Sequence, residues 1–206
     1  MTARGFAALC APALLAAAAI GHATAGTPAG SPAVVTVEAS GGHTATGFLS
    51  SDGRVVTVAH AVGAGSVTVR GTDGVGHQAT VLRRDEALDL AVLLAPGLTG
   101  DRAAEPADRL PVGLDAMRVV VRRNGTQVRL PARVRRRIDA HVRTGDGRLV
   151  ARRPALELAV GIRAGDSGAP VVGPGGRVVG IVFARSRERQ TVAYAVDAAV
   201  LKRLLR

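Results

Sequence analysis

Short runs of β-branched and apolar residues, each cut off by Gly, Asp, Asn or Ser, recur from Ala33 to Val196. A pattern broken this often leaves no room for a long amphipathic helix, so the apolar side chains have to be buried by pairing strands. Val34–Val37 opens the series, and Thr46–Ser50 and Arg54–Val58 flank Ser51-Asp52-Gly53, a hairpin signal. Ser66–Arg70, Ala79–Leu82 and Leu88–Leu94 follow, which makes at least five strands in about 60 residues and argues for an all-β barrel or sandwich. Ala95–Pro111 is rich in Pro, Gly, Asp and Ala and reads as the crossing between two lobes. A second series runs through Arg118–Val121, Val128–Val134, Ala140–Val142, Leu156–Val160, Ala169–Val172, Val178–Phe183 and Val192–Val196. After it the period changes. Val200, Leu201, Leu204 and Leu205 share one helical face, with Asp197 near the start and Arg203 and Arg206 at the end, as the helix dipole favours. The expected organisation is a first lobe over 33–108, a second over 112–196 and a C-terminal helix over 197–206, with no internal repeat.

Residues 1–25 read as a secretory signal peptide. Arg4 is the one charge, Phe6–Ile20 is apolar apart from Pro12, and Ala23-Thr24-Ala25 offers small residues before the cut. An apolar run of about 15 residues is short beside the ~20 that span a bilayer, so a retained anchor is the lesser alternative. Residues 26–32 read as a tether. The expected location is secreted or in the cell envelope, after cleavage near Ala25. Cys10 is the sole cysteine of the chain, so the cleaved form forms no disulfide and its core has to hold itself.

Three segments carry chemistry. Gly165-Asp166-Ser167-Gly168-Ala169-Pro170 sets a serine in a tight glycine turn before an apolar strand. Such a turn holds the hydroxyl clear of the backbone and aims neighbouring N–H groups, those of Gly165 and Ser167, at one point where an oxyanion would sit. A serine hydroxyl is a poor nucleophile at neutral pH and needs a base beside it. Thr57-Val58-Ala59-His60 offers that base, and Asp89, opening the apolar run Leu90–Leu93, offers a carboxylate to fix its tautomer. Asp85 is a weaker candidate, since it lies in the charged cluster Arg83-Arg84-Asp85-Glu86. Asp166 reads as structural, helping to hold the turn. The order His, Asp, Ser differs from that of subtilisins and α/β-hydrolases.

Through these segments the chain resembles the trypsin-like (chymotrypsin-fold) serine proteases, and in particular compact bacterial forms such as the protease domains of the HtrA and actinobacterial MarP groups. The likeness runs through Thr46–His60, Asp89–Leu93 and Gly165–Phe183 and is weakest between Pro96 and Arg153. It implies two antiparallel β-barrels with the active site between them, a triad of His60, Asp89 and Ser167, and an endopeptidase working through a covalent acyl-enzyme. The implied substrate pocket is built from Gly161, Val182, Phe183, Ala184, Arg185 and Val192. Gly161 stands where trypsin has its aspartate, so cleavage after Arg or Lys is disfavoured and a small or medium apolar residue is expected at P1. The chain departs from the family in three places. Ala169 replaces a second glycine, at a cost of about 1 kcal/mol if that backbone needs positive φ. Phe183 replaces a serine whose hydroxyl supports the triad aspartate in digestive enzymes, so that contact is expected to be missing. Met117–Thr126 lacks a Gly-Tyr-Pro turn. A protease-fold binding module and an esterase are the rival functions.

The formal net charge is +11, with Lys202 as the sole lysine. Between Arg118 and Arg153 stand twelve arginines against Asp139 and Asp146. Two readings are open: a surface for an anionic envelope partner, or a solvated face in an arginine-biased chain. After the leader only Phe48, Phe183 and Tyr194 are aromatic, too few for a nucleic-acid stacking platform. His43, His77 and His141 show no metal-ligand spacing, and no cofactor is expected. The expected partners are a protein or peptide substrate, and the expected state is a monomer.

Overall fold

The computed structural model describes residues 31–100, 102–110, 116–143 and 149–205; the segment read as a leader, most of the tether and Arg206 lie outside the described residues. The first six strands are β1 (Val34–Ala39), β2 (His43–Leu49), β3 (Val55–Thr57), β4 (Val67–Arg70), β5 (Gly76–Asp85) and β6 (Leu90–Leu94). They pair antiparallel in the order β1-β2-β3-β6-β5-β4, and β4 closes on β1 from Thr36↔Arg70 to Ala39↔Val67. The next six are β7 (Met117–Arg123), β8 (Thr126–Arg143), β9 (Leu149–Ala159), β10 (Pro170–Val172), β11 (Val178–Arg185) and β12 (Val192–Asp197). Their order is β10-β11-β12-β9-β8-β7, closed by Val171↔Val119. The pattern that allowed barrel or sandwich therefore folds as two closed barrels, and the far end of the β8/β9 hairpin extends beyond the second one.

Each barrel is filled by its inward positions. Val34, Val37, Phe48, Val55, Leu90 and Leu93 are buried in the first, and Val119, Val121, Leu156, Leu158, Val171 and Ala195 in the second. Asp197 caps the chain's last turn by accepting from the Ala199 N–H at 3.0 Å, and a 3-10 turn over Ala198–Val200 leads into α1 (Leu201–Leu205). Val200, Leu201 and Leu204 bury themselves in the first barrel's core, so the C-terminus of the second lobe closes the first. Arg54 and Arg83 donate to the carbonyls of Leu205, Arg203 and Leu204 there. Among the described residues no helix is long and apolar enough to cross a membrane.

Three elements differ from the pattern of the sequence. Val128–Val134 and Ala140–Val142 belong to one long strand, β8, paired with β9 from Arg133↔Ala159 to Arg143↔Leu149. The arginines between them hid its continuity; they are outward residues of a strand that shifts register at Val134/Arg136. β5 extends over Gly76–Asp85 although most of its side chains are exposed. The crossing segment adds two short parallel bridges, Ser50↔Ala104 and Pro106↔Val178.

The arginine-rich strand is tied to buried carboxylates. Glu157 on β9 is 2% exposed, and Arg136, Arg135 and Arg189 surround it, with Arg136 donating to Oε2 at 2.8 Å. Arg137 pairs with Asp197. The hydrogen bond from Arg136, with the charges of Arg136, Arg189 and Arg135, holds the Glu157 carboxyl below the usual range against burial, which pushes it up. A carboxyl lowered in the folded state stabilises the fold above its unfolded pKa, and that contribution is lost as pH falls. Urea midpoints measured from about pH 7 down to pH 3 are expected to fall below about pH 5. Glu157→Gln should be less stable at neutral pH and show a flatter acid limb; an unchanged limb would contradict the pairing.

Candidate active site

The base and the carboxylate are brought together by a turn on each side of β6 and β3. β3 ends at Thr57, and a single 3-10 turn over Ala59–Ala61 presents His60 with half of its side chain exposed. Asp89 precedes β6 with φ of 57°, a left-handed conformation that a non-glycine residue adopts at a cost of about 1 kcal/mol or more. The turn that forces it is held by the Asp85 carboxylate, which accepts from the Leu88 N–H at 2.9 Å, and by the Asp89 N–H donating to the Glu86 carbonyl. Asp85 thus serves the turn. Once in this conformation, Asp89 grips the histidine turn three times. Its carbonyl accepts from the Ala59 N–H at 3.1 Å, its Oδ1 from the His60 N–H at 2.9 Å, and its Oδ2 lies 2.8 Å from His60 Nδ1. A carboxylate at that distance fixes Nδ1 as the protonated ring nitrogen and leaves Nε2 as the acceptor.

The serine turn is pinned to the first barrel from the other side of the interface. Thr46 on β2 donates its N–H to the Ser167 carbonyl at 2.8 Å and its hydroxyl to the Gly165 carbonyl at 2.9 Å. Thr57 on β3, three residues before His60, donates its hydroxyl to the Thr46 carbonyl at 2.9 Å. Gly168 has φ of +85°, and a Cβ there would overlap the Thr46 carbonyl and the Thr57 hydroxyl. The close approach that locks Ser167 against β2 and β3 therefore requires glycine at 168. Among the described residues neither the Gly165 nor the Ser167 N–H has an intramolecular acceptor.

Asp166, 1% exposed, points inward and is held by Arg123 from β7, whose Nε donates to Oδ1 at 3.0 Å and whose second guanidinium nitrogen reaches Oδ2. The Arg163 N–H donates to the same Oδ2 at 2.8 Å. The hydrogen bond to Asp166 raises the Arg123 guanidinium above its ordinary value. Asp166 is thus the structural residue that the sequence suggested, and its partner came from the basic segment. Beside this turn lies a cleft of about 420 Å³ lined by His43, Arg122, Arg163 and Gly165 among others.

Of the expected pocket residues, Gly161 and Arg185 are exposed, Phe183 and Ala184 half-buried, and Val182 and Val192 buried in the second barrel. β11 carries a register shift between Val182 and Ala184, which turns Phe183 out of the ladder. Ala169 does not share the positive φ expected of it as a possibility: among the described residues only Asp89 and Asn124 do so without being glycine. Its N–H donates to the Asp166 carbonyl and its side chain is fully buried, so this substitution leaves the turn unstrained. Phe183 supplies no hydroxyl to Asp89, as expected, but Arg153 lies there instead, with its NH1 3.4 Å from Asp89 Oδ2. No spacing in the sequence signals Arg153. Among the described residues no three His, Cys, Asp or Glu side chains gather as metal ligands.

Residues 45–181 match the family model described as the trypsin-like peptidase domain. Serine protease Rv3671c of Mycobacterium tuberculosis (strain ATCC 25618 / H37Rv) is 31% identical over 156 residues, covering 74% of this chain and 39% of the relative. The chain thus spans about two fifths of the length of the curated relatives it matches. The crystal structure of Rv3671c protease from M. tuberculosis in its active form superposes with a TM-score of 0.75 at 29% identity, covering 86% of this chain and 81% of that one. The serine endoprotease from Yersinia pestis shares the fold at a TM-score of 0.65 and 19% identity, over 85% of this chain and 62% of its own.

Gly168 and Gly175 both have φ of +85°, but a Cβ at Gly175 meets open space. Gly175→Ala is therefore expected to cost about 1–2 kcal/mol of stability, the left-handed penalty alone. Gly168→Ala should cost about 1–3 kcal/mol more, because Thr46 or Thr57 has to move. Denaturant midpoints of the two variants test this; equal losses would contradict the close packing of the serine turn on β2.

Proposed function

The chain belongs to the trypsin-like peptidase family, and from that premise we propose that it is an extracytoplasmic serine endopeptidase acting through Ser167, His60 and Asp89. The observation that carries this reading is the double hold of Asp89 on His60, Oδ1 to the backbone N–H and Oδ2 to Nδ1 at 2.8 Å, next to a serine turn whose two N–H groups have no acceptor among the described residues. His60 Nε2 takes the proton of the Ser167 hydroxyl as its oxygen attacks the scissile carbonyl. The tetrahedral oxyanion is received by the N–H groups of Gly165 and Ser167, where one such donor is commonly worth about 10²–10³ in rate. The imidazolium, stabilised by Asp89, then protonates the leaving amine, and the acyl group stays on Ser167 until water removes it by the same route in reverse. Arg123 and Asp166 keep the turn in its receiving shape.

The proposed substrate is a protein or peptide with a small or medium apolar P1 residue, since Gly161 brings no charge to the floor of the pocket. Residues 33–108 and 112–196 form the two halves of the peptidase domain, and the export signal over 1–25 delivers it outside the cytoplasm.

A fluorophosphonate should label the purified protein at Ser167 and leave Ser167→Ala unlabelled; a native protein that stays unlabelled across the pH range would contradict the reading. Asp89→Asn is expected to lower kcat about 10⁴-fold, because the amide donates to Nδ1 and leaves the imidazole proton on Nε2, where it cannot accept from Ser167. A peptide library should show cleavage after Ala, Val or Leu, and strong cleavage after Arg would contradict the pocket.

A further inference from the structure

Arg153 is a buried cation that the chemistry above does not use. It leaves β9 of the second barrel with 4% of its surface exposed, and its NH1 lies 3.4 Å from Asp89 Oδ2. Its NH2 donates to the Glu86 carbonyl at 3.4 Å, and its guanidinium carbon stands 5.0 Å from the centroid of the Phe183 ring. Nε has no partner. Burying a guanidinium is costly unless a counter-charge lies within reach. The nearby carboxylates other than Asp89 are engaged elsewhere: Asp85 holds the Leu88 N–H, and Glu86 pairs with Arg84 at 2.6 Å. Asp89 is left as the counter-charge, and the face of Phe183 gives the cation its second support.

We propose that Arg153 is a positioning residue for the reaction: it holds the Asp89 carboxylate from the second barrel so that Oδ2 keeps facing His60 Nδ1. The inference rests on the triad reading above. His60 and Asp89 belong to the first barrel and Ser167 to the second, so the base and its nucleophile depend on how the two barrels meet. Asp89 Oδ1 is fixed by the His60 backbone, which leaves rotation about the Cβ–Cγ bond opposed by the contacts of Oδ2. One of those is the catalytic imidazole, which is half exposed. The other is Arg153, rooted in β9 and nearly enclosed. Phe183 forms the platform on which the guanidinium rests. The arginine thus restrains the carboxylate by charge and by an inter-barrel bridge.

The test compares the steady-state hydrolysis of a peptide ester by the full chain, by Arg153→Met, by Arg153→Lys and by each arginine variant combined with Asp89→Asn. Arg153→Met is expected to lower kcat about 10- to 100-fold with KM within about twofold, and Arg153→Lys to recover part of the loss. In the Asp89→Asn background Arg153→Met should cost less than about twofold, because the carboxylate it restrains is gone. The low-field proton resonance of the His60 Nδ1–H should move or vanish in Arg153→Met while the circular dichroism is unchanged. Equal losses in both backgrounds, a change confined to KM, or an unmoved resonance would overturn the inference. If Arg153→Met does not fold, Arg153→Lys and the double variant of Arg153→Met with Asp89→Asn, which removes the two charges together, read the same coupling. Absence of Ser167-dependent turnover in the native chain overturns the triad reading and this inference with it; normal turnover that Arg153→Met leaves intact overturns this inference alone.

Discussion

A buried carboxylate has to be matched wherever a fold places it, and Asp89 is where this protein meets that demand. Its backbone adopts a left-handed turn, its carbonyl and Oδ1 accept from the turn that carries His60, and its Oδ2 is shared between the imidazole and a cation from the other barrel. The histidine cannot be oriented without that turn, and the turn cannot be closed without Asp85 and Glu86 behind it. The chemistry proposed for Ser167 is downstream of this one arrangement.

The same solution recurs at the serine. Asp166 is buried under the serine turn and is matched by Arg123, again an arginine of the second barrel. Glu157 is buried in β9 and ringed by Arg136, Arg135 and Arg189. An arginine reaches a buried carboxylate with a planar fork that donates two hydrogen bonds at once, which a lysine does not. The basic second barrel is thus partly an internal scaffold of charge pairs. Arg122 follows the same logic with carbonyls, crossing to the first barrel to donate to Val34 and Gly71; burial lowers its guanidinium below the ordinary value.

The sequence made the local features legible and left the long-range ones hidden. Strand runs, the hairpin at Ser51-Asp52-Gly53 and the terminal helix follow from patterning within a few residues, and the structure has all of them. The segments around His60, Asp89 and Ser167 stand out in the sequence because their residue types have a chemical reason, and the structure brings Asp89 against His60. The length of β8 was not legible, since its outward arginines resemble a loop until the partner strand is known. Arg123 and Arg153 were not, because their partners lie far off in sequence: Arg123 meets Asp166 across 43 positions, and Arg153 meets Asp89 in the other barrel. The strain anticipated at Ala169 is absent because its backbone stays at negative φ, while the left-handed residue of the site, Asp89, carries no glycine to announce it.

The central claim is that one constellation, with Ser167 as its nucleophile, spans both barrels and is held together at Asp89. It is tested most directly by a crystal structure of the protein phosphonylated with a fluorophosphonate. Phosphorus should be bonded to Ser167 Oγ, its oxygen within hydrogen-bond distance of the Gly165 and Ser167 N–H groups, with Asp89 Oδ2 still between His60 Nδ1 and Arg153. An unmodified Ser167, or a modified one with Asp89 turned away from His60 and Arg153 in solvent, would contradict it.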